Sequence, residues 1–195
     1  MTDFLPTDYK VPSSSDKYMK FIKGDNRFRI LTSPILGYEI WKDDGDKRVP
    51  LRTRMTVPFT TEQAPDPEDI KHFWAMVVYN YANKTVQILE ITQKGIQKTL
   101  KALAQDEDWG SPVQKYDIVV TKAGDGMETK YEVLPKPATK MDEGIIELFN
   151  TMKINLNALY DGKDPYAEVT EEVKNDEVST GMDKLKAATK KAVGI

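Results

Sequence analysis

His72-Phe-Trp-Ala-Met-Val-Val-Tyr-Asn-Tyr81, then Ala82-Asn83-Lys84, then Thr85-Val-Gln-Ile-Leu-Glu-Ile91, is the stretch whose reading decides the fold. Aromatic and β-branched residues dominate both runs, and the short polar break between them reads as the turn of a β-hairpin. A two-residue turn at Ala82-Asn83 or at Asn83-Lys84 gives the same face assignment, because a one-residue shift of the turn moves both partners together. Phe73, Ala75, Val77, Tyr79, Tyr81, Lys84, Val86 and Ile88 share one face. Trp74, Met76, Val78, Asn80, Gln87, Leu89 and Ile91 share the other. Both faces are rich in apolar groups, so periodicity alone does not say which one meets the core.

Downstream, Thr92 reads as the N-cap of a helix running to about Gln105, with Ile96, Leu100 and Leu103 on one side and Lys94, Lys98 and Lys101 on another. Residues 116–122 and 128–134 alternate as strands around Ala123-Gly-Asp-Gly126. Asp142 caps a last predicted helix, along which Ile145, Leu148, Phe149, Met152, Leu156 and Leu159 are spaced to dock on the sheet. Upstream, Asn26-Arg-Phe-Arg-Ile-Leu31 places Phe28 and Ile30 on one face and Arg27 and Arg29 on the other. Residues 35–55 form a further hairpin around Asp43-Asp-Gly-Asp46, with Arg48, Arg52 and Arg54 on one face and Pro50 suited to an edge or a projecting arm.

Strands over 26–32, 72–81, 85–91, 116–122 and 128–134, with one helix between the third and the fourth, follow the element order of a five-stranded OB-fold barrel. The expected fold is therefore mainly β with flanking helices. The 35–55 hairpin is an insertion between strands 1 and 2, and a C-terminal helix follows strand 5. A small β-barrel of different connectivity is the competing fold. Residues 1–16, with Pro6, Pro12 and Ser13-Ser-Ser15, read as a flexible N-terminal arm; 17–160 read as the folded domain; 161–195 read as an acidic linker and a short basic end, largely disordered.

The 195 residues hold 28 Lys plus Arg against 31 Asp plus Glu, but the charge is segregated. Residues 17–54 carry ten basic and five acidic side chains, whereas 161–183 carry eight acidic residues against Lys163 and Lys174. Local concentration of positive charge suffices to attract a polyanion, since screening confines potential to about 8 Å at physiological salt. Cysteine is absent, and histidine occurs once, at His72. Thiolate nucleophiles, disulfide scaffolds and cysteine-ligated metals are thereby excluded. No catalytic constellation stands out, and neither a cofactor nor a metal is expected. No run of about 18 apolar residues exists to form a membrane-spanning helix, and the first residues lack the basic and apolar pattern of a secretion signal.

Tyr18-Met-Lys-Phe-Ile-Lys-Gly-Asp-Asn-Arg-Phe-Arg-Ile-Leu31, Gly37-Tyr-Glu-Ile-Trp41, His72 to Tyr79, Val86 to Gln93, Asp106-Glu-Asp-Trp-Gly110 and Thr129 to Pro137 together resemble the single-stranded DNA-binding proteins of tailed bacteriophages. The resemblance spans roughly residues 17–165. It implies an OB-fold protein that coats single-stranded DNA in replication, recombination and repair within the cytoplasm of the infected bacterial host. It also implies replisome partners, a polymerase, helicase or nuclease, acting through the acidic segment. Proteins of this kind often end in an acidic tail with a terminal aromatic, and some hold a structural zinc. Here the acidic stretch is internal, the sequence closes on Lys190-Lys-Ala-Val-Gly-Ile195, and the thiolates for zinc are missing.

Sequence-tolerant binding of single strands needs cations for phosphates and flat rings for bases. Arg27, Arg29, Lys42, Lys47, Arg48, Arg52 and Arg54 are the expected phosphate contacts. Tyr38, Trp41, Trp74, Tyr79 and Tyr81 are the candidate stacking platforms, with Trp41 the strongest because it sits on the projecting hairpin. Trp109 is expected to pack the helix end. The acidic segment has three readings, an inert solvated tail, an intramolecular competitor for the basic groove, and a docking segment for a polymerase, helicase or nuclease; the opposite charges joined by flexible sequence favour the competitor. An RNA-binding OB domain and a protein-interaction OB module are the alternatives.

Overall fold

Burial on both faces organises the central strand of the sheet. The computed structural model describes residues 17–109 and 113–167. In chain order its elements are β1 (Tyr18–Met19), β2 (Gly24–Ile30), β3 (Ile35–Asp44), β4 (Lys47–Arg54), β5 (Lys71–Asn80), β6 (Thr85–Ile91), α1 (Lys94–Gln105), β7 (Asp117–Ala123), β8 (Lys130–Pro135) and α2 (Glu143–Thr151). The expected arm over 1–16 and the stretch from 168 onward, which holds most of the acidic segment, lie outside the described residues.

All eight strands belong to one mixed sheet, in the order β1-β6-β5-β2-β7-β8, and β3 joins β5 and carries β4. β1 runs parallel to β6; the other pairings are antiparallel. The chain is thus mainly β. The closed barrel expected from the element order is not seen as a continuous ladder, since among the described residues no pairing joins β8 to β6 or β1.

The inner face of the sheet packs Phe28, Ile30, Met76, Val78, Leu89, Ile118 and Val120 against Ile96 and Leu100 of α1. The outer face of β5 and β6, with Phe73, Ala75, Val77, Val86 and Ile88, is covered by Leu148 and Phe149 of α2 and by Leu156 and Leu159 of the 3-10 turn Leu156–Asp161. Each such aliphatic or aromatic side chain contributes about 1.5–3 kcal/mol on full burial. Two covered faces explain why the 72–91 hairpin is apolar throughout, and the ambiguity in its periodicity is a property of the fold.

The face assignment of the 72–91 hairpin holds: Val77 pairs with Ile88 and Asn80 with Thr85, leaving Tyr81–Lys84 as the turn, with Lys84 in the left-handed region at φ 53°. Three boundaries differ from expectation. α1 is capped by Gln93 rather than Thr92, and no side-chain bond closes that end. The last helix ends at Thr151 instead of reaching Leu159. Asp142 does cap it, accepting from the Gly144 amide, but Asn155 starts a separate turn by accepting from the Asn157 amide. The 35–55 hairpin is only half projecting, because Ile35–Glu39 pair with Lys71–Ala75 and only the part beyond Ile40 leaves the sheet.

Gly37 marks where the hairpin base, β5 and the C-terminal turn converge. A Cβ there would collide with the Thr53 carbonyl oxygen and come within 2.8 Å of Phe73 Cε1 and 3.1 Å of Tyr160 Cε1.

Candidate functional site

Cross-strand pairing of Glu39 with Arg52 and of Trp41 with Pro50 puts these four residues on one face of the β3–β4 hairpin. That face borders an open cleft of about 590 Å3 lined by Tyr18, Met19, Lys20, Phe21, Trp41, Pro50, Arg52, Glu90, Gln93 and Tyr131. The lining comes from β1 and the residues after it, the hairpin, the end of β6 and β8. The cleft therefore lies where β6 and β8 fail to pair. Four aromatic rings border it, and Phe21 and Tyr131 stand 5.9 Å apart in a tilted arrangement. Trp41 keeps 43% of its surface exposed at the edge of this cleft, leaving ring area on which a flat group can stack.

The cleft contains a buried ion group. Arg52 donates to Glu39 Oε2 at 3.2 Å and to Glu90 Oε2 at 2.9 Å, and its guanidinium lies 5.4 Å from the Phe73 ring centre. Burial pushes the Glu90 carboxyl up, against the pull of Arg52 and with the help of Glu39. Burial likewise raises the Tyr18 hydroxyl, with the Glu90 charge adding to it. The one lysine in the lining is Lys20. Lys20 is exposed, and the exposed Lys23 pairs with Asp125 at 3.0 Å across to the β7–β8 loop.

The twelve residues proposed from sequence do not form one surface. Lys42, Lys47 and Arg48 are exposed at the outer end of the hairpin. Arg48 shares the face of Trp41 and approaches Asp43 at 3.4 Å, while Lys42 and Lys47 occupy the opposite face. Tyr38 is half-buried beside His72, with ring centres 5.8 Å apart. Arg54 is exposed and stacks over Tyr160 at 4.4 Å.

Two arginines expected on a solvated strand face are interior instead. Arg29 is 2% exposed, bonded to Asp117 through Nε, and held by the Thr139 hydroxyl at 2.6 Å and by the carbonyls of Gln114 and Thr139, both at 3.2 Å. Arg52 is committed to Glu39 and Glu90. Arg29 is covered by the later chain at Gln114 and Thr139, whereas Arg52 is neutralised by Glu39 across its own hairpin and by Glu90 of β6. Arg27 is the exposed member of its pair. It donates to Asp117 Oδ2 at 2.8 Å and 2.5 Å and lies 4.4 Å over the Tyr81 ring.

Trp74 is half-buried against the inner core, edge-on to His72 at 6.4 Å, with its ring N–H unpartnered among the described residues, and it lies away from the cleft that Trp41 borders. Tyr79 packs on the outer core and meets Tyr81 edge-on at 5.1 Å. Tyr81 donates its hydroxyl to Asp117 Oδ1 at 3.0 Å. Trp109 packs edge-on against Tyr116 at 5.4 Å, the packing role expected of it.

Tyr18, Lys20, Phe21, Gln93 and Tyr131 line the cleft, and residue reading alone assigned them no role. Their signal was weak: Tyr18 and Lys20 precede the first long strand, and Tyr131 alternates like any half-buried strand residue. His72 Nδ1 lies 3.4 Å from Gln97 Oε1, and no cluster of metal-ligating side chains occurs among the described residues. No helix among them is long and apolar enough to cross a membrane. No protein-family model, curated protein or solved structure matches this chain.

Proposed function

We propose that this chain is a non-catalytic single-stranded DNA-binding protein built on an OB-type barrel, acting in bacteriophage DNA replication, recombination and repair in the cytoplasm of the infected host. The strand order β6-β5-β2-β7-β8, with α1 between β6 and β7, supports the OB reading, taking the barrel as open along the seam between its third and fifth strands. The observation that carries the functional reading is the cleft in that seam. It brings Trp41 of the inserted hairpin to the same opening as Tyr18, Phe21 and Tyr131, with Lys20 at its edge.

In this reading bases enter the cleft and stack, each worth about 1–3 kcal/mol, while the phosphates stay outside near Lys20, Lys23, Arg48 and the hairpin-tip lysines. Arg29 and Arg52 take no part in phosphate contact; they fix the sheet and the hairpin base. The phosphate contribution makes affinity fall steeply with salt. A polymerase, helicase or nuclease is the class of partner for the acidic segment.

The test is a titration of intrinsic Trp fluorescence with oligo(dT) at low and high salt, against the matching duplex. Trp41 is the reporter, because Trp74 and Trp109 are packed. Quenching by the single strand, weakened by salt and absent with duplex, supports the reading. No response at low salt, together with no gel-shift complex, overturns it and leaves a protein-interaction module as the reading to pursue.

A further inference from the structure

Arg27 is fixed at two nitrogens and on one face, and open elsewhere. Its Nε and Nη2 donate to Asp117 Oδ2 at 2.8 Å and 2.5 Å, and its guanidinium lies 4.4 Å over the Tyr81 ring centre. Tyr81 is itself braced, by its hydroxyl on Asp117 and by Tyr79 edge-on. Nη1 of Arg27 has no hydrogen-bond partner among the described residues, and 53% of the side chain is exposed.

The charge of this group is positive. One carboxylate, Asp117, is shared by two guanidiniums, and Arg29 is interior with all three of its nitrogens engaged, so the surplus charge reaches solvent through Arg27. The group at the hairpin base has the reverse make-up, two carboxylates around Arg52. Exposed Lys136 follows on from Arg27, its backbone amide donating to the Asp117 carbonyl at 2.8 Å. Asp25 and Glu132 occupy the next row of the same face and bound the cationic patch on that side. β2 is the middle strand of the run β6-β5-β2-β7-β8, two strands from either border of the cleft, and neither Arg27 nor Tyr81 lines the cleft.

We propose that Arg27, backed by Tyr81, is a second single-strand contact away from the cleft, where a phosphate meets Nη1 and a base lies on the outward face of the guanidinium. This rests on the single-stranded DNA reading above. A planar guanidinium already held against an aromatic ring is pre-organised for both contacts, because little side-chain freedom is left to lose on binding. Bases stack on arginine planes as they do on aromatic rings. A strand long enough to reach both places is gripped at two points, so the gain depends on its length.

Affinities of the full chain and of its Arg27→Ala variant for oligo(dT) of about 4 and about 16 nucleotides, the two ends of the range one OB fold covers, decide the matter. Arg27→Ala should weaken binding of the long oligomer about tenfold at low salt and reduce its salt slope by about 0.7, the share of one phosphate. The short oligomer, which the cleft holds alone, should bind the variant as it binds wild type. Arg27→Lys keeps the charge and loses the plane, so it should retain the salt slope and still lose affinity for the long oligomer; wild-type affinity there overturns the stacking contact. No loss with either length in Arg27→Ala overturns the proposal while leaving single-strand binding intact. An equal loss with both lengths overturns it too, since Arg27 then acts on the cleft or on the fold. Failure of wild type to bind either oligomer overturns the single-stranded DNA reading and this proposal together.

Discussion

Arg29 and Asp117 face each other across β2 and β7, each with a side chain only 2% exposed, and their ion pair is the charged centre of the outer sheet face. Asp117 also receives Arg27 and the Tyr81 hydroxyl, so one carboxylate serves three donors, two from the neighbouring strand β2 and one from the turn after β5. Removing it would strand the Arg29 guanidinium in the interior. Asp117→Ala is therefore expected to cost about 3–5 kcal/mol in unfolding free energy by urea titration. Arg27→Ala, at a side chain half in water, should cost far less, since exposed pairs contribute about 0–1 kcal/mol. Equal losses for the two would refute the division between an interior and a surface arginine.

Acid should expose the same carboxylate. Burial alone would raise Asp117, but the hydrogen bonds from Arg29, Arg27 and Tyr81 outweigh it and leave the group below its ordinary value. A depressed carboxyl contributes stability that is fully present above the unfolded value, about 3.9, and is lost as pH falls through the folded value. Thermal melts should show a decline that sets in near pH 4 and steepens below it, and Asp117→Asn should flatten that decline. Above the ordinary carboxylate range the raised Glu90 acts in the opposite sense, since its protonation as pH falls relieves a buried charge, so no loss is expected from these two groups there.

How much of this was legible in the sequence depends on which neighbours a residue has. Phe28, Ile30, the 72–91 register and the turn at Gly45 followed from alternation and turn chemistry, because a strand's two faces are set by its own spacing. What covers the polar face was not legible. Arg27 and Arg29 look identical in sequence, and only the return of Gln114 and Thr139 over the sheet separates an exposed arginine from a buried one. The cleft was invisible for a related reason. Tyr18 and Tyr131 are more than a hundred residues apart, and nothing local tells a strand pairing from a gap between strands.

Trp41 should separate binding from stability. Its ring is substantially exposed and its strand partner is Pro50, so Trp41→Leu is expected to change unfolding free energy by no more than about 0.5 kcal/mol. The same substitution should weaken single-strand binding by about 1–3 kcal/mol, with the salt slope unchanged because no phosphate contact is lost. Isothermal titration at two salt concentrations reads both quantities. Undiminished affinity would move the binding surface away from the hairpin.

The acidic segment enters the domain at a defined place. Lys17, immediately before β1, is bonded to Asp164 at 2.8 Å, and its carbonyl accepts the Tyr166 hydroxyl at 2.6 Å. Asp164 and Tyr166 are thus held beside Lys17, the residue before Tyr18, which lines the cleft. Residues 168–183 hold six acidic side chains against Lys174 alone. A tethered polyanion competes at high effective concentration with a free one, and the competition is screened away by salt. Deleting residues 168–195, with the Asp164 and Tyr166 anchors kept, should tighten oligo(dT) binding at low salt and leave it nearly unchanged at high salt. The difference between the two conditions is the informative quantity, since a tail that merely repels DNA through net charge would act on the association rate, whereas a competitor seated in the cleft would also raise the starting fluorescence of Trp41 when removed. Unchanged affinity at low salt would dismiss the competitor and leave the segment to partner recruitment alone.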